Sequence, residues 1–108
     1  MATFLCQAQY SAAAFKGMVT KPSDRQAAAS ALLASMGLKL TSFYYVTGTS
    51  GIAGIVEGTI EQAAAAGMAI CASGGFNTFE STEVLSNEQM NRSMKNAAEV
   101  AGKYQAPN

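Results

Sequence analysis

The chain of 108 residues contains no histidine and no tryptophan, only two cysteines and two prolines, and charged residues make up just 13% of it. Each shortage excludes a class of function. Without histidine, the commonest metal ligand, general base and proximal haem ligand are lost together. Neither a Ser-His-Asp nor a Cys-His nucleophilic arrangement can be built. Cys6 and Cys71 stand too far apart in sequence to form a zinc signature, so neither a metal nor a cofactor is expected. With no secretion signal they read as free, buried thiols rather than a disulfide. Seven Lys/Arg cancel seven Asp/Glu, and no basic cluster supplies the footprint of a nucleic-acid binder. No apolar run reaches the roughly 18 residues of a membrane span. The N-terminus lacks the basic start of a signal peptide, which makes the cytoplasm the expected compartment.

Hydrophobic residues, by contrast, make up 49% of the chain, enough for one packed domain. Much of that content is alanine. A core of small side chains buries little area per residue, so burial of a further face against a second copy is attractive.

Residues Ala2 to Tyr10 alternate as a strand, with Ala2, Phe4, Cys6, Ala8 and Tyr10 on the apolar face. Ser11 to Pro22 is long for a strand-to-helix connection and reads as a functional or locally helical loop. Three helix starts carry the S/T-x-x-E/Q capping box: Ser23 with Gln26, Thr59 with Gln62, and Ser86 with Gln89. The predicted helices are Asp24–Met36, Ile60–Ala72 and Asn87–Ala101. Their apolar stripes are Ala28, Ala31, Leu32 and Met36 in the first, and Ile60, Ala63, Ala64, Gly67, Met68 and Cys71 in the second. The third carries Met90, Met94 and Ala97. Gly37 is placed to stop the first helix, and Ser73-Gly74-Gly75 the second.

The remaining strands are Leu38–Thr47, Ile52–Glu57 and Phe76–Leu85, the first two joined as a hairpin through Gly48-Thr49-Ser50-Gly51. In Leu38–Thr47, alternation places Ser42 and Tyr44 with Leu38, Leu40 and Val46, and Phe43 and Tyr45 opposite. The order predicts an α+β domain over residues 1–102, a ferredoxin-like βαββαβ unit with a four-stranded antiparallel sheet and an added C-terminal helix. A flexible tail is expected over 103–108. Two helices cover one face of the sheet, and a second copy of the chain is the simplest cover for the other.

Several stretches carry a family likeness: Tyr10, Lys16, Pro22-Ser23-Asp24-Arg25-Gln26-Ala27-Ala28, Thr41-Ser42-Phe43-Tyr44, Gly48-Thr49-Ser50-Gly51-Ile52, Ile55-Val56-Glu57 and Ala72-Ser73-Gly74. Over roughly residues 2 to 95 the chain resembles the GYD-domain family. The resemblance implies a dimeric α+β barrel, in which two ferredoxin-like sheets pack face to face. Ser50-Gly51 replaces the Tyr-Asp pair that names the family, so whatever role that pair has is not inherited.

No strong catalytic motif is present. Gly48-Thr49-Ser50-Gly51 is a hairpin turn, not a phosphate loop ahead of a helix. Tyr10, Lys16, Ser42, Tyr44 and Glu57 form the most chemically suggestive set, joined by the Cys6 thiol. In one reading, Tyr44, Lys16 and Glu57 transfer protons to or polarise a small organic molecule, bound by Tyr10, Ser42 and Cys6 in a pocket between sheets. In the other, the protein is a non-catalytic ligand-binding or assembly protein. There the aromatics and Cys6 merely pack, while Lys16 and Glu57 are solvated. In both, the partner is a second copy of the chain, and any ligand is small and apolar.

Overall fold

A computed structural model describes residues 1–107. The elements run β1 (Ala2–Tyr10), α1 (Ala12–Thr20), α2 (Arg25–Ser35), β2 (Lys39–Val46), β3 (Gly51–Gly58), α3 (Ile60–Ala72), β4 (Phe76–Val84) and α4 (Asn87–Ala101). The four strands form one antiparallel sheet in the order β2-β3-β1-β4, the split βαβ arrangement expected from the element order. The stretch after β1 contains a two-turn helix, α1, whose N-cap Ser11 accepts from the Ala14 amide at 3.1 Å. Of the expected tail, residues 103–107 hold no helix or strand, and Asn108 lies outside the described residues.

Two of the three capping boxes form as expected. Thr59 exchanges hydrogen bonds with Gln62, and Ser86 with Gln89. The third does not. The N-cap of α2 is Asp24, which accepts from the Ala27 amide at 3.0 Å, while Ser23 Oγ takes a bond from Arg25 Nη1 at 3.4 Å. A carboxylate is the stronger acceptor for an orphan helix amide, which moves the helix start one residue along. At the other end Gly37 takes φ +80°. The Gly37 amide donates to Ala34 O at 3.1 Å and the Leu38 amide to Leu33 O at 2.9 Å. This is a Schellman stop, closed by contact between Leu33 and Leu38 in the core.

The buried apolar and aromatic residues include Phe4, Ala8, Tyr10, Leu33, Leu38, Val56, Ala63 and Ala66, and among the described residues no other polar or charged residue is buried. The apolar face of β1 turns to the helices as expected. The helical stripes are rotated from the sequence pattern. On α2 the inward line is Arg25, Ala29, Leu33 and Met36, with Leu33 7% exposed against 41% for Leu32. On α3, Ala63, Ala66, Gly67 and Ile70 turn inward, whereas Ile60, Met68 and Cys71 are exposed. With so many alanines, several helical faces have similar apolarity, and packing selects the one that fits the sheet.

Strand β2 departs most from simple alternation. Leu40 pairs with Val56 and Ser42 with Ile55, so Thr41 is an extra, bulged residue. The bulge exchanges the faces of everything beyond it. Phe43 and Tyr45, with rings 5.3 Å apart, stand opposite Gly54 and Ile52 on the helix side. Ser42, Tyr44 and Val46 stand opposite Ile55, Ala53 and Gly51 on the other. Tyr44 therefore does not share a face with Leu40, as a strict period of two had it, and is 69% exposed.

Helix α4 also differs from expectation. Its Met90, Met94 and Ala97 stripe is exposed, and the helix holds no buried residue. The molecule accordingly measures 61 × 32 × 22 Å with a radius of gyration of 18.0 Å, against about 13 Å for a compact domain of this length.

Candidate functional site

Helix α2 packs along β2 and α3 along β4, at opposite edges of the sheet. The central strands β1 and β3 thus lie beneath a gap. Alanines line it from both helices, among them Ala28, Ala29, Ala63 and Ala66, and Gly54 from β3 lies in its floor. These side chains are too small to close the gap. The result is a cleft of about 120 Å³, somewhat smaller than the roughly 150 Å³ cavity that accommodates benzene in an engineered protein core.

Four polar residues, Cys6, Gln7, Tyr10 and Arg25, interrupt its apolar walls. Cys6 Sγ lies 3.6 Å from Ser81 Oγ across the β1–β4 pair. Burial pushes the Cys6 thiol up from its ordinary value, partly offset by that hydrogen bond, so it stays protonated at neutral pH. Tyr10 is 7% exposed, stacked on Phe76 at 4.7 Å and edge-on to Phe15 at 5.4 Å. A bulge in the β1–β4 pairing after Gln9 sets Tyr10 opposite Phe76, which brings the two rings to the same side. Burial raises the pKa of the Tyr10 phenol, and hydrogen bonding to Arg25 pulls it part of the way back. Tyr10 is therefore a neutral donor, not a base.

Arg25 is the first residue of α2 and the only charged residue on the cleft wall. Its Nε is buried and has no hydrogen-bond partner among the described residues. A guanidinium stays charged at any physiological pH. The cleft thus combines an apolar chamber with an unsatisfied cationic donor and a phenol at one end. That arrangement can hold and polarise an oxygen acceptor. It contains no group poised to remove a proton.

The six residues proposed from sequence do not converge within one chain. Cys6 and Tyr10 line the cleft. Ser42, Tyr44 and Glu57 lie on the opposite, open face of the sheet, and Lys16 sits exposed on α1. Tyr44 pairs with Ala53 and Glu57 with Lys39, so Tyr44 and Glu57 are separated by four residues along β3, about 13 Å at the rise of a strand. Arg25 was missed as a site residue. Its signal was a charge in line with Ala29, Leu33 and Met36 at helical spacing, where a solvated face would not place it. Phe76 and Phe79 were legible only as strand residues.

Among the described residues, no group of three or more His, Cys, Asp or Glu could hold a metal ion, and no helix is long and apolar enough to cross a membrane. A family model described as the GYD domain matches residues 4–94. No curated protein and no solved structure matches the chain.

Proposed function

The chain belongs to the GYD-domain family, and from that premise we propose that it binds a small, largely apolar organic molecule without a cofactor. The site is the cleft between the sheet and helices α2 and α3. The observation that carries this reading is Arg25, which lines the apolar chamber and whose Nε is buried without an acceptor among the described residues. A buried donor left unpaired costs about 1–3 kcal/mol. A small rotation of the Arg25 side chain turns that donor to a ligand oxygen and recovers the cost, while the ligand's apolar body fills the space between the alanines. Arg25 and Tyr10 then hold the oxygen end, and Cys6 is part of the floor. Since burial holds the phenol and the thiol in their neutral forms at pH 7, the cleft supports binding and polarisation of a carbonyl or carboxylate better than proton abstraction.

Thermal denaturation against a panel of small carbonyl and carboxylate compounds tests the reading. A true ligand at a hundredfold excess over its Kd stabilises by about 2.7 kcal/mol, a shift of several degrees. Arg25→Gln should abolish that shift for the active class. If no compound raises the midpoint, the cleft is only a packing defect.

Self-association is the second part of the proposal. Leu5, Ile55, Val46 and Tyr44 lie on the sheet face that neither α2 nor α3 covers, and α4 offers a second uncovered apolar stripe. Covering both with a second copy supplies burial that an alanine-rich core lacks. It would also enclose Ser42, Tyr44 and Glu57, which share that face, between the two sheets. A well-folded monomer at micromolar concentration in light scattering would refute the assembly.

A further inference from the structure

A second hollow adjoins the cleft. It is an outer groove of about 420 Å³, bordered by α1, the segment leading into α2 and the turn after α3. Tyr10, Arg25 and Phe76 line both spaces, so these three side chains border an apolar inner chamber on one side and an open outer one on the other. The outer groove has a different chemistry. Lys21 and Arg25 bring two positive charges, Ser23 brings a hydroxyl, and no carboxylate lines it; the Ser73 hydroxyl at its edge is already donated to Ile70 O at 2.6 Å. In a chain whose seven acidic and seven basic residues balance, that is a locally one-signed surface. Arg25 is aligned with both spaces. Its Nη1 donates to Ser23 Oγ at 3.4 Å on the groove side, while its Nε is buried without an acceptor.

We propose that the ligand of the cleft is an amphiphile whose head group is a phosphate monoester seated in the outer groove, its apolar part passing the Tyr10–Phe76 stack into the inner chamber. This rests on the cleft reading above and specifies the ligand class. Two cations match a dianion better than a single carboxylate. A guanidinium pairs with phosphate oxygens through parallel N–H bonds, and a lysine serves as a flexible point charge beside it. Ser23 Oγ accepts from Arg25, so its own proton is free to donate to a phosphate oxygen. The groove has room for a tetrahedral group with its water, whereas the inner chamber takes only a short apolar chain. The thiol and the phenol, both neutral, add no repulsion against an anionic head.

Butyl phosphate, 1-butanol and inorganic phosphate, titrated separately and followed by amide chemical shifts, test the proposal. Butyl phosphate should bind about tenfold or more tightly than 1-butanol and move the amides of Ser23 and Ser73 together with those of Ala63 and Ile70. Lys21→Gln, on an exposed side chain, should remove most of that advantage and leave 1-butanol binding unchanged. Butyl phosphate binding no tighter than 1-butanol would overturn the proposal, even with 1-butanol shifting the cleft amides. An affinity for butyl phosphate insensitive to Lys21→Gln would also overturn it. If phosphate and butyl phosphate move Ser23 and Ser73 while 1-butanol moves nothing in the cleft, the head-group site stands and the cleft reading falls.

Discussion

Replacing Leu33 by alanine should remove a large share of the stability of this domain, while the same change at Leu32 should hardly register. Leu33 is the one buried residue of α2, and it packs with Leu38, Val56 and Ala66. Removing three carbons forfeits about 2.4 kcal/mol of transfer free energy at about 0.8 kcal/mol each. The void left behind opens onto the existing cleft, so neighbouring side chains cannot close over it, and a cavity term of about 1 kcal/mol is added. The gain in helix propensity on going to alanine is only a few tenths of a kcal/mol. The expected loss is about 3 kcal/mol, against a total of roughly 5–15 kcal/mol for an ordinary domain. Leu32, 41% exposed, should cost about 1 kcal/mol or less. Urea unfolding followed by far-UV circular dichroism measures both, provided the slope m is unchanged between variants. Equal losses at the two positions, or a larger one at Leu32, would refute the inward face assigned to α2.

Gly54→Ala should destabilise by about 1–3 kcal/mol, because an added Cβ would stand 2.7 Å from the Ser42 carbonyl oxygen and 3.2 Å from Leu40 Cδ1; a neutral result in the same urea assay would mean that the bulged strand yields. Thr59→Ala should cost about 1 kcal/mol of global stability through loss of the α3 cap, whereas Ser86→Ala should only fray α4, seen as lost helical signal without a shift in the main transition, since α4 buries nothing. The Cys6 pKa is raised in the fold above its ordinary 9.0, so above that pH the unfolded chain loses its proton first. The stabilisation is complete below the unfolded value and declines as pH rises toward the folded one. Cys6→Ala should flatten the fall in stability above pH 9, as denaturation across a pH series would show.

Much of the fold was legible because its signals are local. Capping boxes at Thr59 and Ser86 join groups three residues apart, and Gly37 stops α2 through hydrogen bonds within a single turn. Such signals survive in any tertiary context, which is why α3 and α4 run over the residues the pattern predicts. The start of α2 failed by one residue because Ser23 and Asp24 are both competent caps, and choosing between them takes the geometry of the approaching chain. Helix α1 was legible only as a functional or locally helical loop because it is short and has no Glu or Gln at the position that completes a capping box.

The site was far less legible. Its walls come from β1, β3, α2 and α3, and its emptiness depends on how far apart two alanine-rich helices settle. Alternation along β2 pointed Tyr44 to the wrong face because one bulged residue, Thr41, reverses every side chain after it, and no local signal marks that bulge. By itself the sequence determined the order of the elements other than α1, most of their ends and the family, since these follow from hydrogen bonds and periodicities within a few residues. Only the tertiary structure decided which helical faces turn inward, that Arg25 Nε is buried without an acceptor, and that α4 stands apart from the core. Those outcomes depend on which surfaces meet across the chain, and burial energy is set by that meeting rather than by any one segment.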